Sequence, residues 1–509
     1  MIERASVWIA ALAAVALCAF GLVRGTWAVG GSDSSCYGLM AKAFAEGRLQ
    51  PDEPLAATAP WLNAALTFAP GGFIPSGRSM TAASPVCAPG FSLLLAPFHQ
   101  LGGADAVFVV TPLFGALLVW LAFVAGRRLA SPVAGAVAAI LVASTPVVLF
   151  QVVQPMNDIV VAALWMGVVV AATVSDPSRP WVIGAVTGFA VLIRPNLAPS
   201  GVVVAVWFVA ATWRRDLTLR AAARPAVALA LAALPFAVIL LFLNTALYGH
   251  PLSTGYGSAA DLFGATNVST NTRAYATALW ETQLAFPALA IAAPFVVARR
   301  SRAIAWVGLA IAATVIAVYL LYRSFPEWWY LRFLLPALVV TTALAATVIA
   351  RAPSAIALLI AVALSWFMVD TARDRHAFDL HRLERRFRET GLVVRDRLPD
   401  NAALITVWSS GTVRFHADKP ALVWDGLDPG SLEPAIAWLS QRGFETYIVI
   451  ERWEEPQFRE RFAGHTGLGN LDWPPRFDIE SQVRIFKVAD RAPYMRGGNV
   501  PTEPVVRRR

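Results

Sequence analysis

Long runs of apolar residues without charge dominate this sequence and limit what it can fold into. Of its 509 residues, 57% are hydrophobic and only 15% are charged. A helix needs roughly 20 apolar residues to cross the hydrocarbon core of a bilayer, and many of these runs approach that length. A soluble protein of this size could not bury so much apolar surface. The sequence therefore predicts a mainly α, polytopic membrane helix bundle that carries a small C-terminal α/β soluble domain.

Eleven segments are candidate membrane spans, separated by polar, basic or proline-containing stretches. The first is predicted to be an uncleaved span, because no clear small-x-small cleavage site follows it. The short segment Pro89–Leu101 contains two prolines and a histidine, so we expect it to lie on the outer surface. The predicted spans are Ala5–Val23, Ala106–Ala125, Pro132–Phe150, Ile159–Val174, Trp181–Ile193, Leu197–Thr212, Ala226–Leu243, Leu284–Ala298, Ala303–Leu321, Phe333–Ala350 and Ala355–Val369.

Basic residues in the short loops predict the orientation of the chain. Loops rich in Lys and Arg stay in the cytoplasm, and here the basic residues occupy alternate loops. If the N-terminus is cytoplasmic, the inner loops contain Arg127, Arg128, Arg179, Arg214, Arg215, Arg220, Arg224, Arg299, Arg300, Arg302 and Arg351. The outer short loops contain only Arg194, Arg323 and Arg332. With eleven spans, the C-terminal domain lies outside.

The change in charge density after Asp370 predicts a domain boundary. Residues 1–370 form the predicted membrane domain, with long outer loops at 24–103 and 244–283. Short apolar runs alternating with helical patterns predict a soluble α/β domain with a partly parallel sheet at 371–488. Residues 489–509 are predicted to be a disordered basic tail. The soluble domain shows no Gly-rich phosphate loop and no catalytic triad signature.

Two acidic residues lie on the predicted outer face at the same depth. Asp33 follows the first span at the start of a predicted surface helix, and Asp158 lies where the third span ends and the fourth begins. Two carboxylates at a membrane boundary can share a divalent cation such as Mg²⁺ or Mn²⁺, or divide acid–base work. The alternative is that both cap helices, as Asn157 and Asp158 also suit an N-terminal cap.

Two arginines are predicted on the same outer face. Arg194 lies in a Leu-Ile-Arg-Pro-Asn turn between two apolar spans, and Arg332 precedes the tenth span. A guanidinium at this position suits the phosphate or pyrophosphate of a lipid carrier. It suits an ordinary phospholipid headgroup equally well.

Together these motifs resemble the GT-C membrane glycosyltransferases, in particular the dolichyl-phosphate-mannose–protein mannosyltransferase-like and aminoarabinose-transferase-like group. The resemblance covers roughly residues 1–350 and rests on motifs in a shared order and on a shared side of the membrane. They are Asp33 with Tyr37 and Ala41, Ser84–Phe91, Asp158, Leu192–Pro195, Asn244 with Tyr248–Pro251 and Gly255–Gly257, and Arg332–Pro336. One departure is that Ser34 follows Asp33 where many relatives have a second acid.

The resemblance implies an enzyme that moves a hexosyl or pentosyl group from a polyprenyl-phosphate donor to an acceptor hydroxyl on the outer face. It implies inverting attack with Asp33 as the base and Asp158 as the second catalytic acid. Substrate-binding residues are then Tyr37, Arg194, Tyr256 and Arg332, and any cation is held by Asp33 and Asp158. The expected partners are the lipid-linked donor, membrane lipid and a glycan, lipid or protein acceptor. The implied location is the plasma (inner) membrane.

A polytopic transporter or flippase of lipid-linked or small substrates is the main alternative. Transporters place ionisable residues or broken helices near the bilayer midplane, whereas the span interiors here are almost free of charge. The pI of about 9.9 does not predict nucleic-acid binding, because the basic residues cluster beside apolar runs and at the C-terminus. Cys36 and Cys87 are both expected outside, either as a disulfide or as two free thiols.

Overall fold

A computed structural model describes residues 2–174, 180–216 and 218–506 of the chain. Arg179 of the predicted inner loops and residues 507–509 of the predicted tail lie outside the described residues. The chain divides into two compact units. The first unit comprises residues 1–25, 108–242 and 257–381, and the second comprises residues 26–107, 243–256 and 382–509. The domain boundaries drawn from the sequence at residues 370 and 488 remain predictions.

The first unit is built from apolar helices. Its main helices are Ile2–Val23, Val110–Leu129, Pro132–Ser144, Pro146–Val152, Asp158–Ala172, Pro180–Ile193, Ala198–Asp216, most of Leu219–Tyr248, Asn267–Gln283, Arg299–Leu321, Leu335–Ile349 and Ser354–Asp374. The helix Asn267–Gln283 lies within residues 244–283, which the sequence predicted as an outer loop.

Within the described residues, seven helices are long and apolar enough to cross a membrane, and up to nine spans result if two bent helix pairs each count as one. Two shorter apolar helices, Asn157–Ala172 and Pro180–Ile193, add to this set. These long helices, bent pairs and shorter helices are together consistent with the eleven predicted spans. The number eleven itself remains a prediction. The chain is a multi-pass membrane protein, as expected from its uncharged apolar runs.

The two bent pairs have identifiable backbone causes. Helices Pro132–Ser144 and Pro146–Val152 meet at an angle of 61°, because proline disfavours helical backbone in the residue before it. Thr145 accordingly has an extended ψ of 123°. Helix Asn267–Gln283 meets Phe286–Val296 at 101°, and both residues at this break, Leu284 and Ala285, have left-handed backbone.

Glycines allow helices of the first unit to approach closely. A Cβ added to Gly126 would lie 2.7 Å from the carbonyl oxygen of Ala134, and one added to Gly135 would lie 2.6 Å from that of Phe123. Small residues at such crossings are typical of membrane bundles, where association depends on van der Waals packing.

The second unit contains a six-stranded mixed sheet and a separate two-stranded sheet. The strands are β1 Phe73–Pro75, β2 Ala83–Pro85, β3 Ala402–Ile405, β4 Ala421–Leu422, β5 Glu445–Glu451, β6 Phe477–Ile479, β7 Val483–Lys487 and β8 Glu503–Val505. The larger sheet has the order β4-β3-β5-β7-β6-β8. Strand β3 pairs in parallel with both β4 and β5, whereas β7 is antiparallel to β5 and β6. The predicted α/β character of the C-terminal part is confirmed.

Helices pack around this sheet and along the first long loop. They are Ser32–Ala45, Ala64–Thr67, Pro89–Ala106, Arg385–Arg397, Ser410–Ala417, Leu432–Gln441, Glu455–Phe462 and Arg491–Met495. The segment predicted as an outer surface helix is therefore helical, and it continues to Ala106 with a break at Gly103, where φ is 71°.

The first long loop and the C-terminal domain share one hydrophobic core. Ala56 and Phe68 of the loop are buried in the same cluster as Trp424 and Ile448 of the sheet domain. The backbone N–H of Val423 also donates to the carbonyl of Thr67 at 2.6 Å. The sequence does not reveal this contact, because the two segments lie more than 300 residues apart in the chain.

The C-terminal tail differs from its predicted disorder. Residues Arg491–Met495 form a short helix, and β8 pairs in parallel with β6 at the edge of the sheet. Backbone pairing at a sheet edge needs few apolar side chains. A basic, proline-containing segment can therefore be ordered there although its composition is typical of disorder.

Candidate functional site

Asp158 is completely buried in the first unit, at the first residue of the helix Asp158–Ala172. Its Oδ1 accepts a hydrogen bond from Nη2 of Arg194 at 2.5 Å. Arg194 follows the helix Pro180–Ile193 and is only 8% exposed. The proline after Arg194 ends that helix and places the guanidinium at the start of its neighbour. The structure therefore brings two predicted site residues together in a buried ion pair.

Arg332 provides a second guanidinium beside the same carboxylate. Its Nη1 lies 3.9 Å from Oδ2 of Asp158. Its guanidinium also lies over aromatic rings, 5.1 Å from the centroid of Phe333 and 5.2 Å from that of Tyr330. Two guanidinium groups thus flank one buried carboxylate. Such a buried cluster favours an anionic ligand.

Neighbouring residues that the sequence did not assign to the site hold this cluster in place. Arg194 also donates to Oδ1 of Asn157 at 2.5 Å, and Phe333 stacks on Tyr319 with ring centroids 5.0 Å apart. Asn157 makes no side-chain capping hydrogen bond to its helix, so the helix-cap alternative is not supported for Asn157. In the sequence, the position of Asn157 directly before Asp158 was the only indication that Asn157 contributes to this cluster.

Asp33 lies in the second unit, in the first turn of helix Ser32–Ala45. Its Oδ1 accepts a hydrogen bond from the hydroxyl of Tyr256 at 3.2 Å. Tyr256 is 45% exposed, so this carboxylate–phenol pair is open to solvent. The structure thus brings two more predicted site residues together, although they are 223 positions apart.

Tyr37, the remaining predicted substrate-binding residue, is a packing residue in this structure. It is only 6% exposed, and its ring contacts Phe91 edge-on with centroids 5.0 Å apart. The contact joins helix Ser32–Ala45 to helix Pro89–Ala106. Substrate contact by Tyr37 remains a prediction.

Three constraints hold the Asp33–Tyr256 pair in place. A disulfide joins Cys36, one helical turn after Asp33, to Cys87, so the disulfide alternative is the one that the structure supports. The Tyr248 hydroxyl donates to the Pro85 carbonyl at 2.8 Å. A Cβ on Gly255 would collide with the backbone of Pro85, so only glycine allows the loop that carries Tyr256 to lie this close.

The predicted meeting of Asp33 and Asp158 remains a prediction, because the two residues belong to different compact units. The predicted cation site has no support from clustered ligands. Among residues 2–174, 180–216 and 218–506, no group of three or more His, Cys, Asp and Glu side chains could hold a metal ion. Asp158 instead has two arginines as neighbours.

Comparisons with known proteins agree with the motifs. A family model described as dolichyl-phosphate-mannose-protein mannosyltransferase matches residues 85–242, which include Asp158 and Arg194. No curated protein sequence matches the chain significantly.

Solved structures of membrane enzymes share the fold at low sequence identity. ArnT from Cupriavidus metallidurans, bound to undecaprenyl phosphate, superposes with a TM-score of 0.57 and 14% identity, covering 89% of this chain and 94% of its own. The oligosaccharyltransferase of Archaeoglobus fulgidus gives a TM-score of 0.53 and 14% identity, covering 93% of this chain and 73% of its own. The resemblance inferred from the sequence motifs is confirmed. The chain therefore shares the fold of these membrane enzymes, and residues 85–242 match the family model.

Proposed function

We propose that the chain is a membrane glycosyltransferase that moves a sugar from a polyprenyl-phosphate donor to an acceptor hydroxyl on the outer face of the membrane. The observation that carries this proposal is the buried cluster in which Asp158 holds Arg194 and Arg332. Two structurally similar proteins were solved with polyprenyl phosphates, ArnT with undecaprenyl phosphate and the archaeal enzyme AglB with dolichol-phosphate. A ligand of that chemistry suits the charge of the cluster.

The arginine cluster is the proposed site that stabilises the leaving group. When the bond between the anomeric carbon and the phosphate oxygen breaks, negative charge grows on the departing polyprenyl phosphate. Fixed donors aimed at such charge are worth several kcal/mol in a site that excludes water, about 3 kcal/mol for one hydrogen bond. Arg194 and Arg332 fit this role because Asp158 holds their guanidinium groups in place before the donor binds.

Asp33 is the proposed base. The acceptor hydroxyl attacks the anomeric carbon from the face opposite the phosphate, and Asp33 takes the hydroxyl proton as the new glycosidic bond forms. The product sugar then has inverted configuration, and the polyprenyl phosphate leaves with the bonding electron pair. The Tyr256 hydroxyl, which donates to Asp33 Oδ1, helps to fix the orientation of this carboxylate.

A divalent cation shared by Asp33 and Asp158 fits the surroundings of Asp158 poorly. Two guanidinium groups already neutralise that carboxylate, and they would repel a metal cation placed beside it. We therefore assign the stabilisation of phosphate charge to the arginines and no step to a metal ion.

The proposed location is the plasma membrane, with the N-terminus in the cytoplasm and the C-terminal domain outside. The disulfide between Cys36 and Cys87 supports this orientation, since disulfides persist in oxidising compartments and are rare in the cytosol. Both cysteines belong to the first long loop, which the distribution of basic residues also places outside.

A profile of envelope glycans and lipids in cells of the source organism tests the function. Cells lacking the gene are complemented with the wild type or with Asp33→Asn, and the two profiles are compared by mass spectrometry. We expect one sugar to be missing from one envelope component in the variant. A variant profile equal to the wild-type profile, at equal protein level, would rule out Asp33 as the base. Movement of a lipid-linked sugar across the membrane without transfer would support the transporter alternative.

A further inference from the structure

The carboxyl ends of three parallel strands form a surface that the proposed transfer reaction does not use. Trp408 follows β3, Asp425 follows β4 and Trp453 follows β5. Because β3 pairs in parallel with both neighbours, all three residues come from the same edge of the sheet. Ligands of open α/β sheets bind outside this edge. We call Trp408, Asp425 and Trp453 the strand-end surface.

Two exposed tryptophans are the main feature of the strand-end surface. Trp408 is 48% exposed and Trp453 is 47% exposed, and their ring centroids are 5.2 Å apart with planes inclined at 70°. Three tryptophans in the core of the same unit, Trp424, Trp438 and Trp473, are at most 7% exposed. The apolar faces of Trp408 and Trp453 are open by comparison.

Buried carboxylates fix the loop that carries Trp453, whose ring packs against Trp408. Glu451 is 1% exposed and accepts hydrogen bonds from the indole N–H of Trp453 at 2.6 Å and from Arg386 at 3.0 Å. Glu454 is also 1% exposed, and it accepts the backbone N–H of Glu451 at 2.9 Å. These hydrogen bonds hold the Trp453 ring in its exposed position.

Each buried carboxylate retains one oxygen without a hydrogen-bond partner among the described residues, Oε1 of Glu451 and Oε1 of Glu454. Burying a charged oxygen without a partner is costly. The exposed carboxylate of Asp425 lies close enough to interact electrostatically with Glu454. Of these three acids, Asp425 is the exposed one and can accept a hydrogen bond from a ligand hydroxyl.

The combination of open indole faces and the exposed carboxylate of Asp425 identifies the class of ligand. A pyranose ring has an apolar C–H face that stacks on an aromatic ring and hydroxyls at its edge that donate to carboxylates. Anionic lipids and nucleic acids are disfavoured, because their phosphates would meet Asp425. We propose that the strand-end surface binds a carbohydrate, namely the glycan of the acceptor. The acceptor substrate is then an oligosaccharide or a glycolipid, an assignment that rests on the proposed function.

Contacts within the second unit link the strand-end surface to the proposed base. Two residues after Trp408, the hydroxyl of Ser410 accepts the backbone N–H of Gly71 at 2.9 Å. The next residue, Gly411, packs so closely on Ser35 that a Cβ would collide with its hydroxyl. Ser35 is two residues from Asp33 on the same helix. An acceptor glycan held at Trp408 is therefore bound by the unit that also carries the base.

The test measures oligosaccharide binding by the full-length protein in lipid nanodiscs. The probes are neutral hexasaccharides, namely α-1,6-mannohexaose, α-1,4-glucohexaose, β-1,4-glucohexaose and β-1,4-galactohexaose, titrated by calorimetry. We expect at least one to bind with a Kd below about 10 mM. Trp408→Ala and Trp453→Ala are expected to weaken that binding about tenfold each, and Asp425→Asn to weaken it less. Tyr494→Ala, at an exposed aromatic of the same unit that is outside the strand-end surface, is the control.

The outcomes separate this proposal from the proposed function. Binding that both tryptophan variants weaken supports the site, even if the wild type transfers no sugar. Release of sugar from the lipid-linked donor to water, which needs no acceptor, should be unchanged in the tryptophan variants. Any of three results would overturn the proposal. The first is that no probe binds, and the second is that neither tryptophan variant changes the binding. The third is that the tryptophan variants alter only the association of the protein with vesicles.

Discussion

Arg194 and Asp158 form a buried ion pair, with Nη2 of the guanidinium 2.5 Å from Oδ1 of the carboxylate, and they are 36 positions apart in the chain. Removing two charges from water costs several kcal/mol per ion, and a buried pair rarely stabilises a fold more than apolar packing would. The pair is therefore better explained by the proposed function than by stability alone. Nη1 of Arg332 lies 3.9 Å from the other oxygen of the same carboxylate.

Replacing the shared carboxylate should damage stability and function together. In Asp158→Asn two guanidinium groups remain without their anion, and breaking such a buried pair costs about 3–5 kcal/mol. We expect a lower thermal midpoint in nanodiscs and loss of sugar transfer. The control is Asp370→Asn, at an exposed position. If Asp158→Asn and wild type had equal thermal midpoints and equal activities, the role assigned to Asp158 would be contradicted.

Arg332 should act on the donor phosphate. Arg332→Gln removes one of the two proposed phosphate donors, and we expect transfer to fall about 100-fold. Arg332→Lys should recover only part of the rate, because an ammonium lacks the planar fork that matches phosphate. The matched control is Arg323→Gln, an exposed arginine predicted on the same side. An equal effect of Arg323→Gln and Arg332→Gln would show that general surface charge is responsible.

The sequence predicted the membrane bundle and the mixed C-terminal sheet because both depend on local patterns. Apolar length identified the spans, and alternation of short apolar runs with helices identified strands such as β3 and β5. It also identified Asp158, Arg194 and Arg332 as separate candidates, but not that Asp158 would hold both arginines. Tertiary packing decides which side chains meet. Phe68 and Trp424, for example, share one hydrophobic core, and no local pattern encodes such a contact.

The disulfide should contribute measurably to stability. Cys36 and Cys87 are 51 positions apart, and a cross-link over a loop of this length stabilises by about 4 kcal/mol in the chain-entropy model. We expect the Cys36→Ser/Cys87→Ser variant to unfold at a lower temperature and to lose the cross-linked peptide seen by non-reducing mass spectrometry. Cys18→Ser, at the free cysteine, is the control and should leave both unchanged.

The carboxyl of Glu454 should make stability depend on pH. Burial raises its pKa to about 7 from an ordinary value of 4.5, so the folded state binds this proton more tightly than the unfolded state. Its contribution is therefore most favourable below pH 4.5 and is lost as the pH rises to about 7. Glu454→Gln should gain stability relative to wild type over this interval, by on the order of 1–3 kcal/mol.

Thermal midpoints of wild type and Glu454→Gln between pH 5 and pH 8 test this prediction. The difference between the two proteins isolates Glu454 from other titrating groups such as His416, whose pKa burial lowers to about 4. A midpoint difference that stays constant over this interval would contradict the raised pKa of Glu454.

The most direct measurement is single-turnover transfer in nanodiscs from a radiolabelled polyprenyl-phosphate sugar, with donor binding measured in parallel. Asp33→Asn should bind the donor as wild type does and transfer the sugar at least about 100-fold more slowly. Arg332→Gln should instead weaken donor binding as well. Wild-type transfer rates in Asp33→Asn, with donor binding intact, would contradict the account.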